Sequence, residues 1–331
     1  MQSRSFSKNT MEERKDIFFD YFDRDLEHYF DSRIACCEKC YDEFCSEWPG
    51  TAARDERFQT SGIEISYFVR ESRIQDAFYP EEIAHFAKEL TCPNCCSVLD
   101  GEFYIFEHPF KVDKFHIGSI AKLAQTSPFL LLTHPFAAKV LDVIQRRAAT
   151  APVVPVETIW FRGRLARDVA APELKDFGPP PASKVAEGRY NHAGHSMLYV
   201  ADSPLTVWVE MRCSEPVHVA KLELNMSLKL LNLSVSDDVD GEDDEVIQCL
   251  ARSALCAAPR TSDGWDRPEY VFSRFVADCA RHGGYGAIRY GSVQDSRGSN
   301  MVVLDPPVDF STVASLMDVT TSSRAPHRRC L

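Results

Sequence analysis

The sequence predicts an α+β protein in which a helical region comes first and a region of mixed strands and helices follows. Three observations support this prediction. A long amphipathic helical pattern covers residues 10–33, two Cys-x2-Cys pairs lie in the helical region, and short apolar strands alternate with helices in the second half. Between the two regions, residues 148–157 carry two prolines and no helical periodicity, which favours a domain boundary. The predicted domains are residues 1–150 and 151–320, followed by a loose tail at 321–331.

Composition and charge exclude several classes of protein. The chain has 331 residues, of which 44% are hydrophobic and 26% are charged, an ordinary balance for a globular protein with a sizeable core. The net charge of −12 argues against nucleic acid as a partner, because phosphate binding needs a basic face. No apolar run is long enough to span a membrane, and residues 1–16 are too polar for a signal peptide. We therefore expect a cytoplasmic protein.

The first region begins with the predicted helix at residues 10–33. Thr10 and Glu13 make a capping-box pattern at its start. Its apolar stripe consists of residues at helical spacing, namely Phe18, Phe19, Phe22, Leu26, Tyr29 and Phe30. The pattern is typical of a packed helix, so we expect no chemistry there.

Four cysteines of the first region have the spacing of a metal site. Cys37 and Cys40 form one Cys-x2-Cys pair, and Cys92 and Cys95 form another. Such a pair places two thiolates at a sharp turn, and two pairs complete the tetrahedral shell of one structural Zn²⁺. The 51 residues between the pairs must then loop out as an insertion.

Alternatives to this ligand set stay open at the level of the sequence. Cys36, Cys45 and Cys96 are close neighbours in the chain, and any of them could replace a ligand. The cysteines could also be buried free thiols. A structural zinc site is closed, so catalysis is not expected at it.

The second region carries its polar candidate residues on short elements. Met197–Val200 is predicted as a strand, and Ser203 and Pro204 begin a helix that covers Leu205–Arg212. Glu210 therefore lies near the end of a short helix. Apolar spacing predicts the remaining elements, which are strands within 217–233, helices at about 245–257 and 268–282, and closing strands at 287–290 and 301–304.

Three motifs surround this helix in the sequence. They are F-R-G-R at residues 161–164, G-R-Y-N at 188–191 and I-R-Y-G-S at 288–292. With the residues between them they give an ordered series of polar side chains, Arg162, Arg189, Tyr199, Glu210 and Ser292. This order resembles the RES domain, a family named for its Arg, Glu and Ser, over about residues 157–306. The run Cys-x2-Cys-Tyr-Asp also resembles the zinc-bearing domain found before some RES domains.

The resemblance implies an ADP-ribosyltransferase-like domain with a split β-sheet, whose substrate is NAD⁺. It implies that Arg162 binds the diphosphate, a role that suits a planar guanidinium. Arg189 is implied to bind a phosphate or to hold the nicotinamide loop, and Tyr199 to stack on the nicotinamide or the ribose. The plain alternatives are a surface arginine for Arg162 and a core tyrosine for Tyr199.

Glu210 and Ser292 complete the site that the resemblance implies. The glutamate would bind ribose hydroxyls and stabilise positive charge as nicotinamide leaves; its plain alternative is a surface residue at a helix end. Ser292 would hydrogen-bond the nicotinamide or orient the first arginine. The family usually has a proline at the position of Gly291 and often a second serine at that of Val293, and Ser299 is a competing candidate for the family serine.

The function implied is cleavage of the nicotinamide–ribose bond of NAD⁺ by a glycohydrolase or phosphorylase, in a toxin or effector with an antitoxin or immunity protein as a possible partner. Water, phosphate and a protein side chain all stay open as acceptors. One alternative is a protein ADP-ribosyltransferase on the same fold, whose first domain selects the target. The other is a non-catalytic zinc-ribbon binding module.

Overall fold

The computed structural model describes residues 11–52, 58–107, 114–156, 159–212, 214–260 and 267–323. The chain divides into two compact units. The first consists of Met1–Glu47 and Arg54–Lys114, and the second of Trp48–Ala53 and Phe115–Leu331. The second unit therefore includes a short segment that lies, in sequence, inside the first.

The elements up to residue 107 are mostly short helices with three strands. They are α1 (Met11–Phe30), β1 (Arg33–Cys37), α2 (Tyr41–Glu47), α3 (Pro49–Ala52), β2 (Ile63–Glu64), α4 (Ile65–Glu71), α5 (Ile74–Ala77), α6 (Pro80–Phe86) and β3 (Glu102–Phe106).

The elements that follow build most of the second unit. They are α7 (Lys114–Thr126), α8 (Pro135–Thr150), β4 (Val154–Pro155), β5 (Ile159–Leu165), β6 (Leu198–Ala201), α9 (Pro204–Met211), β7 (Val217–Leu224), β8 (Ser227–Leu228), β9 (Leu230–Leu233), α10 (Glu242–Arg252), α11 (Ala254–Ala257), α12 (Val271–His282), β10 (Ala287–Gly291), β11 (Ser299–Val303) and β12 (Ala314–Ser322).

The first unit packs its helices around an antiparallel sheet in the order β1-β3-β2. Its core is aromatic. Phe22 of α1 contacts Phe68 of α4 and Phe103 of β3, with ring centroids 5.0 and 6.4 Å away. The apolar stripe predicted on the first helix is confirmed in part, since Phe18, Phe22 and Leu26 are buried but Tyr29 is exposed. Thr10, the predicted cap, lies outside the described residues.

The second unit contains a seven-stranded sheet in the order β12-β7-β5-β6-β11-β10-β9. Neighbouring strands are antiparallel except β10 and β9, which are parallel. β5 pairs with β7 along its whole length, but with β6 only at Phe161 and Ala201. The sheet is therefore almost split between β5 and β6, in agreement with the predicted split-sheet fold.

Side-chain alternation along β5 gives each face of the sheet its own core. Trp160 belongs to a large cluster with Leu222 of β7 and Val303 of β11. Phe161 packs against a smaller cluster that includes Val207 of α9 and Val219 of β7. The smaller cluster seats α9 beside the split in the sheet.

Gly163 of β5 permits this seating. A Cβ atom at Gly163 would stand 2.7 Å from Cγ1 of Val207 and would also clash with Sδ of Met211. The glycine of the F-R-G-R motif thus lets α9 approach the strand. Ser203 caps α9 by accepting a hydrogen bond from the backbone N–H of Thr206, and Pro204 is its first residue, as predicted.

The compact units differ from the predicted division at residue 150. α7 and α8 lie in the second unit, where α8 packs against α10 and α12. Three ion pairs join α8 to the first turn of α10, formed by Lys139 with Glu242, Arg146 with Asp243 and Arg147 with Asp244. At the other end, β12 includes Thr321 and Ser322 of the predicted tail, and the tail beyond residue 323 lies outside the described residues.

The remaining predicted elements agree with the structure to within a few residues. The predicted helix at 245–257 is divided at Ser253 into α10 and α11, and that at 268–282 is α12 preceded by a short 3-10 turn. In the part of the chain that the structure describes, none of the helices has both the length and the apolar character needed to cross a membrane.

The segment that contains α3 packs closely on α10 and α11 within the second unit. Trp48 and Thr51 are fully buried. A Cβ atom at Gly50 would lie 2.6 Å from Cα of Arg252 and 2.8 Å from its carbonyl oxygen. Because these are backbone atoms, α3 can approach α10 so closely only with glycine at this position.

Gly50→Ala is therefore expected to destabilise the second unit. Overpacking against backbone costs about 1–3 kcal/mol of unfolding free energy, which chemical denaturation of the full chain would measure. Gly178→Ala is the matched control, since the nearest atom to its new Cβ is Cδ1 of Phe310 at 3.3 Å, and it should lose less stability. Equal stability of Gly50→Ala and the parent would contradict this packing.

Candidate functional site

A cavity of about 420 Å³ opens at the split in the sheet. This volume is within the range of small-molecule sites. Its walls come from β5 and β6, from α9, from residues 184–188 and from the strands beyond β6. The polar and aromatic residues that line it include Arg162, Arg164, Lys184, Glu187, Asn191, Tyr199, Glu210, Tyr290 and Asn300.

Glu210 lies one residue before the end of α9 and faces this cavity. Its Oε1 accepts hydrogen bonds from Oγ of Ser292 at 2.6 Å and from Nδ2 of Asn300 at 2.8 Å. Arg212, in the left-handed conformation, ends the helix directly after Met211. The carboxylate is thus fixed by a helix on one side and by two side chains from the β10–β11 region on the other.

Ser292 is fully buried, and its contacts establish that it is the donor in its hydrogen bond with Glu210. Its oxygen accepts from the backbone N–H groups of Gln294 and Asp295, both at 3.1 Å, so its own O–H is free to donate to Glu210. Ser299 is placed differently, because its hydroxyl accepts from Nε of Arg289. Of the two candidate serines, Ser292 is the one that contacts the glutamate.

A polar network supports the loop that carries Ser292. Oγ1 of Thr206, on the first turn of α9, lies within hydrogen-bond distance of carboxylate oxygens of Asp202 at 3.0 Å and Asp295 at 2.9 Å. Asp202 in turn accepts from the backbone N–H of Ser299 at 2.8 Å. The helix and the loop that hold Glu210 are therefore tied together at both ends.

Arg162 lies across the split between β5 and β6. Its Nη1 donates to the carbonyl of Tyr199 at 2.5 Å, and its Nη2 donates to the carbonyl of Gly178 at 3.3 Å. The side chain is 7% exposed. Burial, together with the neighbouring charge of Arg164, holds the pKa of this guanidinium well below its ordinary value. Among the described residues, its Nε has no hydrogen-bond partner.

Arg164 is held in the same way. Nε donates to the carbonyl of Asp176 at 2.7 Å, and Nη2 donates to that of Gly178 at 2.9 Å. Two arginines two residues apart on one strand face thus share the carbonyl of Gly178. The pair fastens the segment around residues 176–178 to β5.

Tyr199 has its hydroxyl engaged by the G-R-Y-N motif. Its O–H donates to Oδ1 of Asn191 at 2.9 Å and accepts from the backbone N–H of Tyr190 at 3.1 Å. Burial raises the pKa of this phenol, which therefore stays neutral. Gly188 must be small here, since a Cβ would lie 3.2 Å from the Tyr199 hydroxyl and would clash with Oδ1 of Asn191.

Arg189 does not line the cavity, although it was predicted to contact the ligand or hold its loop. Its guanidinium donates to the carbonyls of Cys256 at 2.5 Å and Ala258 at 2.9 Å, and lies 4.6 Å from the ring centroid of Tyr270. The hydroxyl of Ser273 donates to its backbone carbonyl. These contacts hold the loop that forms the cavity wall, which favours the second of its two predicted roles.

The sequence did not predict the positions that three of the lining residues take at the site. Asn300 shares Glu210 with Ser292, and Asn191 positions Tyr199. Lys184 lies on a turn that follows three consecutive prolines at 179–181. Asn191 stands inside the G-R-Y-N motif and Asn300 directly follows the candidate serine Ser299, whereas nothing in the sequence connects Lys184 to the site.

Comparison with known families assigns this part of the chain. Residues 159–322 match the family model of the RES domain. Residues 159–322, within the second unit, are a RES domain. Enzymes with this domain process NAD, so the family-level function is that of a NAD-processing enzyme.

Among solved structures, the chain is similar to one described as the crystal structure of the M.tuberculosis MbcT-MbcA toxin-antitoxin complex, with 12% sequence identity and a TM-score of 0.33. That match covers 55% of this chain and 92% of the other. A comparison with curated proteins gave no match.

The cysteine cluster lies apart from the RES domain in sequence and belongs wholly to the first unit. Sγ of Cys37 is 3.8 Å from Sγ of Cys40 and 3.6 Å from that of Cys95, and Cys40 is 3.7 Å from Cys92. All four sulfur atoms lie within 4.8 Å of one another. Four thiolates around one zinc at about 2.3 Å would stand roughly 3.8 Å apart, so the cluster fits that ion.

The local backbone explains why the cluster forms. A 3-10 turn at Glu38–Cys40 follows Cys37, and the backbone N–H of Cys96 donates to the carbonyl of Cys92 at 2.8 Å. Each pair therefore sits on a tight turn. The group of side chains placed to hold a metal does not include the neighbouring Cys36, Cys45 or Cys96.

We expect one Zn²⁺ per chain on Cys37, Cys40, Cys92 and Cys95. Cys37→Ser should lose the metal and the folded first unit, because a structural zinc contributes directly to folding free energy. Elemental analysis and the unfolding of the variant would measure both effects, and Cys45→Ser is the control that should keep its zinc. If the parent is purified without chelators and elemental analysis finds no zinc in it, the site is ruled out.

Proposed function

We propose that the RES domain cleaves the nicotinamide–ribose bond of NAD⁺ and that Glu210 is its catalytic residue. The observation that carries the proposal is a carboxylate that faces the cavity and is oriented by two donors on a single oxygen. Ser292 and Asn300 both bind Oε1. Among the described residues, Oε2 has no hydrogen-bond partner, so it is available to a ligand in the cavity.

The chemistry of the bond suits such a group. When the C–N bond between ribose and nicotinamide breaks, its electron pair leaves with nicotinamide, and positive charge develops on the ribose ring. A carboxylate fixed beside the ring stabilises this charge without having to reorganise. Since the full charge exists only near the transition state, the carboxylate accelerates the reaction more than it tightens substrate binding.

The remaining residues of the site bind and position in this proposal. Tyr199 and Tyr290 line the cavity and offer aromatic surface to the nicotinamide or the ribose. Asn191 and the backbone of Tyr190 hold Tyr199 in place. Arg162, Arg164 and Arg189 hold the walls through backbone carbonyls, and an anion-binding role for Arg162 would require its guanidinium to leave them.

The acceptor of the ADP-ribose distinguishes the enzymatic alternatives. Water or phosphate would make the protein a glycohydrolase or phosphorylase, as expected of a toxin or effector with an antitoxin or immunity partner. A protein side chain would make it an ADP-ribosyltransferase. Incubation of the pure protein with NAD⁺ and measurement of free nicotinamide separates an enzyme from a non-catalytic binding module. Labelled NAD⁺ then separates transfer to protein from release of soluble product.

Glu210→Gln is expected to lower kcat by about 10²–10³, the scale of losing one preorganised electrostatic group. The amide keeps the volume and removes the charge. The affinity for NAD⁺ should change much less, because the rest of the cavity is intact. Nicotinamide release and calorimetric NAD⁺ binding would measure the two quantities. A folded variant with the parental rate is incompatible with this role.

Ser292→Ala is expected to lower kcat by about tenfold, as one of the two donors that orient the carboxylate is lost. Ser299→Ala is the matched control, since that hydroxyl contacts Arg289 rather than Glu210. The difference between the two variants identifies the serine that supports the catalytic glutamate. If both variants lose equal activity, the hydrogen bond from Ser292 has no special role.

A further inference from the structure

We propose that Lys184 is the residue that binds the diphosphate of the dinucleotide, and that Arg162 and Arg164 form the scaffold of the cavity. This inference rests on the proposed function. It concerns a negatively charged part of the ligand that is separate from the reacting bond. In the described part of the chain, three cationic side chains line the cavity, namely Arg162, Arg164 and Lys184. The two arginines are hydrogen-bonded to the backbone, and the lysine side chain, among the described residues, is not.

The guanidinium groups of Arg162 and Arg164 are already hydrogen-bonded to the protein backbone. Between them they donate hydrogen bonds to the carbonyls of Tyr199, Gly178, Asp176 and Gly163. Tyr199 and Gly163 line the cavity, whereas Gly178 and Asp176 lie in the segment that the two arginines fasten to β5. Withdrawal of a guanidinium would leave these carbonyl groups without their donor. An unsatisfied buried acceptor is costly, often more than one hydrogen bond to a ligand returns.

Arg162 is also needed where it is. β5 and β6 pair directly only at Phe161 and Ala201, and the carbonyl of Tyr199 next to this point accepts from Arg162. The guanidinium thus replaces strand pairing at the split in the sheet. Movement toward a phosphate would release the strand that carries Tyr199.

The ammonium group of Lys184 makes no such hydrogen bonds among the described residues. This residue ends the 3-10 turn Ala182–Lys184, whose backbone is closed by a hydrogen bond from the N–H of Lys184 to the carbonyl of Pro181 at 2.9 Å. Its side chain is exposed, lines the cavity and has no hydrogen-bond or ion-pair partner among the described residues. A flexible ammonium on a fixed turn can reach a phosphate as a point charge.

The acidic residue Glu187 on the same wall does not neutralise Lys184. The carboxylate of Glu187 accepts from the backbone N–H of Arg267 at 3.1 Å and pairs with Nη1 of Arg274 at 3.2 Å. Glu210, whose Oε1 accepts from Ser292 and Asn300, makes no ion pair with Lys184 among the described residues. The charge of Lys184 is therefore free for an anionic ligand, in a chain whose net charge is −12.

The chemical class of the ligand group follows from this arrangement. A single mobile ammonium at the rim suits a diphosphate that is still partly hydrated, rather than a fully enclosed phosphate held by a fork of arginines. The contribution of such a group to binding weakens with salt, since exposed charges are screened over about 8–10 Å. Product ADP-ribose carries the same diphosphate and should use the same lysine.

The test compares Lys184→Gln with the parent in the full chain. The variant is expected to raise the KM for NAD⁺ and the inhibition constant of ADP-ribose about tenfold, with kcat within about threefold. The inhibition constant of nicotinamide, which has no phosphate, should change far less. The KM of the parent should rise with salt more steeply than that of the variant. Lys175→Gln, which removes a lysine paired with Glu173 outside the cavity, is the matched control.

The outcomes separate this inference from the proposed function. An unchanged KM for NAD⁺, or equal effects on ADP-ribose and nicotinamide, would overturn the role of Lys184 even in an active enzyme. If the parent releases no nicotinamide, the proposed function fails and calorimetric binding of ADP-ribose becomes the test. Weaker binding by Lys184→Gln than by Lys175→Gln then supports the lysine, and equal binding overturns it.

Discussion

The near-break between β5 and β6 is the constraint on which the cavity depends. A continuous sheet would close this space with strand-to-strand hydrogen bonds, whereas here Phe161 and Ala201 make the single residue pairing between the two strands. A backbone carbonyl freed by such a break needs another donor, since buried acceptors without partners are costly. Arg162 supplies that donor to Tyr199. The opening in the sheet therefore depends on the buried arginine.

The rest of the site is built outward from this opening. α9 follows β6 after a short turn, so the glutamate near its end faces the same space. Gly163 lets that helix approach β5, and the carbonyl of Gly178 fastens the neighbouring segment to Arg162 and Arg164. β11, the strand next to β6, and the loop after β10 contribute the donors on Glu210. Residues from distant parts of the chain thus meet because strand order, rather than sequence order, decides their neighbours.

Charged residues serve two different purposes in this domain. A guanidinium can join several carbonyls at once because its planar fork presents five donors, and Arg162, Arg164 and Arg189 are all used in that way. The carboxylate of Glu210, in contrast, keeps one oxygen open to the cavity. A motif that lists residue types does not distinguish these uses, since it carries no information about which partner each side chain has found.

The sequence by itself determined the class of fold, most of the elements and the metal-site candidates. These depend on local patterns, such as apolar periodicity, the Ser203-Pro204 helix start and the two Cys-x2-Cys turns, which a chain carries wherever it folds. The order of Arg162, Glu210 and Ser292 likewise identified the family. Only the tertiary structure decided that α7 and α8 join the second unit, that Ser292 rather than Ser299 contacts the glutamate, and that Arg189 lies behind the cavity wall. Each of these depends on contacts between residues far apart in the chain, and local patterns do not encode such contacts.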